Sequence, residues 1–371
     1  MIKKIHIRNF KSHLNTSLDL SPLTILTGLN GMGKSSVIQT LLLLRQSLQK
    51  DVAGGLMLNG DLCKIGSAQD AITICATEDI IDFEIAFEKE MFHSRYAVDT
   101  NQLESDLLPK IDATIRATDA NLPLLGKQFQ YISAYRNAIS DKLENTSYYV
   151  EKLEQISGIE GRAEFVAPYI NKFGDKPVFI PALKHPKEEN PSLKAQIEAW
   201  LREFTPNINL HVERIDNNNY KTEFSFNRDG GRPTIRFKSK NVGFGLSYDL
   251  PLLAVILYSK PGDLIIIENP ESHIHPSGQA CLINLMAKAA QAGVQFIIET
   301  HSDHIINGAL VSIKKGDIHC KNISVFYFDR DEEKHTTISI PIVIRETGRI
   351  YKPPKGFFEQ ISIDTQFLMG F

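Results

Sequence analysis

Cysteine is scarce and scattered in this sequence: Cys63, Cys75, Cys281 and Cys320 are the only four in 371 residues, and no two form a CxxC pair. That spacing argues against a zinc ribbon or a disulfide framework and fits a reducing compartment. An excess of either charge is lacking too, with 41 Lys plus Arg against 44 Asp plus Glu and a net charge of -3. No global field therefore directs the chain to nucleic acid or to an anionic membrane, although a local basic groove stays open. Long apolar runs are absent as well. The "LLLL" at 41–44 is far too short to span a bilayer, and "MIKKIHIRNF" alternates basic and apolar residues where a signal peptide would carry a continuous apolar core. No internal repeat or low-complexity segment interrupts the chain. The expectation is a soluble, cytoplasmic globular protein, with one large domain carrying an insertion or with two to three domains.

What is present is a pattern of alternating strands and helices. Residues 3–10 and 17–20 alternate like paired strands, and "LTILT" at 23–27 reads as a short strand buried on both faces of a parallel sheet. From Lys34 to about Gln49, Val37, Ile38, Leu41, Leu42, Leu44 and Leu48 give a helix a wide apolar face. Residues 71–98 read as strands ("AITICA", "DFEIAFEKE"). Near Asp99 the chain turns polar, and "QLESDLLPKIDATIRA" and "NTSYYVEKLEQIS" show helical spacing. "PSLKAQIEAWLREF" at 191–204 reads as a further helix with Pro191 in its first turn, and "RDGGRP" as a hairpin turn. Beyond 241 the prediction is helix 244–258, strand 263–268, helix 276–291, strand 294–300, helix 303–312, then strands near 323–329 and 336–343. The whole implies an α/β fold with a mixed sheet flanked by helices: a head built from 1–98 and 206–345, a mainly helical insertion at 99–205, and a tail at 346–371. Several bulky apolar residues in that tail imply burial against its own domain, with docking to a partner as the alternative.

"GLNGMGKSS", Gly28 to Ser36, satisfies G-x-x-x-x-G-K-[ST] between a buried strand and a helix, the P-loop NTPase arrangement. Glycines let Asn30, Gly31 and Gly33 curl their N-H groups inward at a phosphate, and the helix starting at Lys34, Ser35 and Ser36 adds the positive end of its dipole. Lys34 would neutralise the terminal phosphates and Ser35 would ligate magnesium, so ATP and Mg2+ are the expected cofactors.

The strand at 263–268 ends in Glu268, a carboxylate placed to hold Mg2+ opposite Ser35, and Glu271 follows in the loop. "VQFIIET" leads to His301 in "THSDH", at the same sheet edge and near the terminal phosphate. A rival reading takes Glu268, Glu271, His273, His275, His301, Asp303 and His304 as metallohydrolase ligands. Against it, His273 and His275 read better as residues that cap or pack the loop before Pro276. Asp329 and Asp331 in "FYFDRDEEKH" raise a nuclease site, but a turn between two strands explains them more simply.

These segments together resemble the ABC-like ATPases of the SMC, RecF and OLD group, in the AAA branch. "IRNFKSH", "GLNGMGKSS", "VGFGLSYDLPLL", "LIIIENPESHIHPSGQ", "IIETHSDHIING" and "KPPKGFFEQ" follow one another in the group's order. The resemblance implies a head that dimerises face to face around ATP, with "NVGFGLS" as the signature segment and Gly243, Gly245 and Ser247 meeting the γ phosphate in trans. It makes His301 the switch histidine and Gln69 in "KIGSAQD" a candidate for the glutamine loop and the metal. It further implies a switch for a separate effector protein, a nuclease or toxin, in defence against phage. The group's Asp-Glu pair is Glu268-Asn269 here, so the usual general base is missing unless Glu271 positions water. Slow or partner-dependent turnover is the expectation, and an ATP sensor with little hydrolysis is the alternative.

Overall fold

The computed structural model describes residues 1–50, 55–114, 122–136, 146–216, 219–228, 232–354, 356–357 and 360–369. The alternating N-terminus forms an antiparallel pair, β1 (Ile2–Phe10) and β2 (His13–Asp19). Strand β3 (Leu23–Gly28) runs into the glycine loop and α1 (Lys34–Gln49). Short β4 (Gly55–Met57) and α2 (Ala68–Ala71) lead to β5 (Ile80–Phe87), β6 (Met91–Ala97) and β7 (Leu107–Ala113). These close a six-stranded sheet in the order β2-β1-β5-β6-β7-β4.

The second sheet is built around β3. Its members are β8 (Phe129–Ile132), β12 (Leu264–Glu268), β13 (Gln295–Glu299), β14 (Ile323–Asp331), β15 (Thr336–Ile344) and β16 (Ile350–Tyr351), and between β8 and β12 the chain makes a separate three-stranded sheet from β9 (Ile208–Arg214), β10 (Tyr220–Phe226) and β11 (Phe237–Lys238). The order of the large sheet is β16-β15-β14-β3-β13-β12-β8, parallel from β14 to β8 and antiparallel at β15 and β16. The helices α3 (Val166–Phe173), α4 (Leu193–Phe204), α5 (Phe244–Tyr258), α6 (Pro276–Gln291) and α7 (Asp303–Lys315) complete this body, and α8 (Gln360–Met369) follows near the C-terminus.

Alternation along the parallel strands decides which core each side chain enters. Leu264 and Ile266 of β12 pack with α1 and the antiparallel sheet, while Ile265 and Ile267 pack with α3 to α7. Helix α1 therefore lies between two sheets, and Leu41, Leu42 and Leu43 are all fully buried. This exceeds the single apolar face expected of it.

The mixed α/β architecture is as expected, as are the helices and strands from α5 to β15, whereas β16 and α8 lie in the tail, for which no element is predicted. Three local readings are corrected. "AITICA" is not a strand: Ile72 makes one isolated bridge to Phe10, and the segment then turns, leaving Ile74 exposed. In the 99–205 insertion, helices occupy the second half, but residues 107–113 are strand β7 and 129–132 are β8 at the edge of the central sheet. The apolar residues of "LLPKIDA" have little helical burial to gain, since Leu108 is buried while Leu107 and Ile111 are exposed. Pro191 precedes helix α4, which starts after Ser192, whose hydroxyl caps the Ala195 N-H. β10 and β11 do form the expected hairpin, with the "DGG" of its turn, 229–231, outside the described residues.

The tail divides in two. Phe357 is buried against Tyr327, but Phe367 and Leu368 on α8 are 81% and 84% exposed. Among the described residues of the tail, the expected burial therefore holds for Phe357 and not for Phe367, Leu368 or Met369. Among the described residues, no helix is long and apolar enough to cross a membrane.

Candidate nucleotide site

The glycine loop curls where its backbone allows it to. Gly28, Gly31 and Gly33 have φ of 135°, 77° and 96°, a region costly for residues with a Cβ. Gly28 is also pressed against β14: a Cβ there would lie 2.3 Å from the Phe328 carbonyl oxygen. Inside the curl, the buried Lys34 ammonium donates to the carbonyls of Gly28 at 3.0 Å and Leu29 at 2.7 Å. Burial lowers its pKa, and the Glu299 carboxylate opposes that shift.

Two distant segments clamp the loop. His13 Nε2 lies 2.9 Å from the Gly33 carbonyl, Thr337 Oγ1 donates to Met32 O at 3.0 Å, and the Ser12 and Thr337 hydroxyls are 2.7 Å apart. Burial pushes the His13 pKa down to about 4, so the ring is neutral near pH 7. Because a carbonyl can only accept, Nε2 carries the proton, and Nδ1 accepts from Thr16 Oγ1 at 2.9 Å.

Glu268 and Glu299 are register partners at the ends of β12 and β13. It is Glu299, overlooked in the sequence, whose Oε1 accepts the Ser35 hydroxyl at 2.9 Å. Its other oxygen, Oε2, is buried with no hydrogen-bond partner. Burial first and Glu268 second push the Glu299 pKa up to about 7, against the pull of Ser35 and Lys34. Glu268 is raised by burial and held back by the Ala134 N-H at 3.3 Å and the Tyr131 hydroxyl at 3.1 Å. Ser35 and Glu268 line one cavity of about 600 Å³.

Two carboxylates, one with an unpartnered buried oxygen, and a serine hydroxyl make an all-oxygen set of the kind a hard divalent cation takes. Gln69 does not join them. It is exposed on α2, and the cavity is lined on that side by Gln39, Cys63 and Lys64. The strand flanking β12 is β8, so residues just after β8, not those of α2, reach Glu268.

Glu271 is tied to the histidine strand: its two oxygens accept from Thr300 Oγ1 and the His301 N-H, each at 2.8 Å. Glu271 thereby positions His301, whose imidazole meets the Gly28 backbone and whose pKa falls through partial burial and the nearby Lys34. Asn269 sits at φ 44° with its N-H on the Glu299 carbonyl at 2.8 Å.

A fully buried arginine, also missed in the sequence, holds this loop from behind. Arg136 donates to the carbonyls of Ser133, Glu268, Asn269 and Pro270 and to that of Tyr248 on α5. Helix α5 carries the three signature candidates. Gly243 is exposed at its start, Gly245 abuts His273, where a Cβ would lie 2.9 Å from the carbonyl oxygen, and Ser247 is buried. Of the three, only Gly243 is exposed.

The histidine-rich loop does not gather as a metal centre. His275 Nδ1 caps α6, His273 packs on the Tyr248 ring at 4.5 Å, and His304 lies 3.8 Å from Asp303. Among the described residues, three metal-ligand types converge only at Asp82, Glu84 and His93 on the antiparallel sheet, where cross-strand pairing accounts for them. Asp331 Oδ1 accepts the Glu333 and Lys334 N-H groups in the β14–β15 turn, the structural role favoured for it.

The family described as "AAA domain, putative AbiEii toxin, Type IV TA system" matches residues 23–307, which span the loop, both acidic strand ends and His301. The chain belongs to this AAA family. Residues 318–368 match a second family, described as "Protein of unknown function (DUF3696)". No curated protein matches the chain. Its fold is similar to the SMC head in the crystal structure of the SmcHead bound to the C-winged helix domain of ScpA, at 14% identity and a TM-score of 0.55, covering 92% of this chain and 98% of that one. It is also similar to the Smc head with an extended coiled coil bound to the C-terminal domain of ScpA from Pyrococcus furiosus, at 13% identity and a TM-score of 0.53, covering 99% of each chain. This AAA-family chain thus has the fold of an SMC head.

Proposed function

We propose that this chain binds ATP with Mg2+ and hydrolyses it slowly, closing two heads face to face and passing the change to a separate effector protein. The observation that carries the reading is the Ser35–Glu299 hydrogen bond beside Glu268, with an unpartnered Glu299 oxygen, at the foot of a glycine loop holding Lys34. Ser35, Glu268 and Glu299 would hold the metal, which when bound neutralises charge on the terminal phosphates. Lys34 exchanges its two loop carbonyls for phosphate oxygens, and the N-H groups at the start of α1 meet the same anion. His301, held by Glu271, orients groups at the terminal phosphate. The exposed start of α5 at Gly243 supplies N-H groups to the nucleotide of the facing head. A role in defence against phage follows the resemblance of the chain's motifs.

A second reading, an ATP sensor that scarcely hydrolyses, is favoured by one specific observation. Asn269 replaces the usual base, and Glu271, the nearest substitute in sequence, has both oxygens engaged. Single-turnover assays on wild type, Lys34→Ala, Asn269→Glu and Glu268→Gln separate the two, with sedimentation reporting nucleotide-dependent dimers. Tight binding with no hydrolysis by wild type, and hydrolysis gained by Asn269→Glu, would select the sensor. Absence of Mg2+-dependent ATP binding would refute both.

A further inference from the structure

The cavity shared by Ser35 and Glu268 has a wall built outside all of these motifs, from Lys64, Glu160 and Arg162. Glu160 is the common anion: it pairs with Lys64 Nζ at 2.9 Å and with the Arg162 guanidinium. Both cations are well exposed, and their hydrogen bonds hold the Glu160 pKa below its usual value. A surface ion pair of this sort needs no special backbone, yet here the backbone is strained. Glu160, Gly161 and Ala163 have φ of 50°, 66° and 57°, and two of the three carry a Cβ.

Specific contacts keep the turn in place. The Glu160 N-H donates to Asp61 O at 2.6 Å, and Gly161 O accepts the Ser133 N-H at 2.9 Å. A Cβ on Gly161 would sit 2.7 Å from the Ser133 nitrogen and from the Tyr131 ring, the ring whose hydroxyl holds Glu268. The turn is therefore fixed against the acidic end of the nucleotide site, and it places Arg162 on the wall of that site's cavity, with Lys64 held beside it through Glu160. With no phosphate present, Glu160 balances them. A nucleotide's terminal phosphate brings more negative charge and three oxygens, and a guanidinium binds such a group in bidentate fashion.

We infer that Arg162, with Lys64 beside it, is a ligand for the terminal phosphate of the nucleotide, and that Glu160 occupies these cations until that phosphate displaces it. This rests on the ATP-binding reading above. It makes the turn at 160–163, within the insertion, the element that distinguishes a nucleoside triphosphate from a diphosphate.

The test compares ATP and ADP affinities, by displacement of a fluorescent nucleotide in Mg2+, for wild type, Arg162→Ala, Arg162→Lys and Glu160→Gln. Arg162→Ala should weaken ATP by about tenfold or more while leaving ADP nearly unchanged, with Arg162→Lys between them. Glu160→Gln should tighten ATP a few-fold, and more so at low salt. Equal effects on both nucleotides, or none on either, overturn the inference while leaving nucleotide binding intact. Should Arg162→Ala fail to fold, a Glu160→Gln protein with unaltered ATP preference overturns it instead. Wild type that binds neither nucleotide refutes the underlying reading as well, a result distinct from the others.

Discussion

Replacing Glu299 by glutamine should make the nucleotide-free protein more stable and the proposed ATPase activity weaker. Its pKa rises from 4.5 to about 7 on folding, mainly through burial, so at pH 8 the folded state holds a carboxylate that prefers water. A shift of that size corresponds to about 3 kcal/mol of destabilisation at pH 8, and it fades as the pH falls toward 4.5. Glutamine keeps an acceptor for Ser35 but places an amide where Oε2 lacks a partner, returning about 1 kcal/mol. The expected net gain is about 2 kcal/mol at pH 8 and close to nothing at pH 5. Urea unfolding at the two pH values reads it directly. The same variant should lose about 10- to 100-fold in Mg2+-dependent ATP turnover, the size of effect seen when a metal's supporting ligands are altered. Equal stability changes at both pH values, or a destabilised protein at pH 8, would refute the assignment of Glu299 as a strained metal carboxylate.

Gly33→Ala should cut ATP affinity by about tenfold or more, since φ 96° costs about 1–2 kcal/mol for alanine and its methyl would sit 2.4 Å from Thr337 Oγ1; equilibrium binding checks this. Arg136→Met strips donors from carbonyls at the end of β12 and on α5, so a loss of about 3 kcal/mol or more in urea unfolding is expected. Asp249 is pushed up to about 7 and Asp263 to about 6, both chiefly by burial. Raised carboxylate pKa values confer stability that is full at low pH and lost as pH rises through 6 to 7, so the nucleotide-free protein should melt higher at pH 6 than at pH 8. His13 works the other way, its contribution present above 6.5 and lost as the pH falls toward 4. Asp249→Asn should flatten the melting curve against pH, and an unchanged slope would count against that carboxylate.

The phosphate loop, the acidic strand and the histidine strand could be read from the chain because each is a local pattern: an apolar run ending in a specific polar residue. Glu299 also ends such a run, in "VQFIIE", but the histidine two residues later is the stronger local signal. Arg136, Tyr131, His13 and Thr337 offered no comparable signal. Their roles come from contacts between segments far apart in sequence, such as the bond from His13 to Gly33 or from Thr337 to Met32. The strand β8 was hidden for a related reason. Four residues inside a polar stretch become a strand because β12 offers a free parallel edge, a fact of tertiary pairing that periodicity cannot report.

The clamp on the glycine loop bears on how such chains can be recombined. Met32 and Gly33 lie in the segment matched by the AAA family, whereas Thr337 and Phe328, which press on that loop, lie in the segment matched by DUF3696. The two are consequently not interchangeable cassettes. A chimera that joins the first to an unrelated second half would inherit the phosphate loop, both acidic strand ends and His301 and still lack the surface that shapes its phosphate loop, so substitutions on either side of that boundary are constrained as one unit.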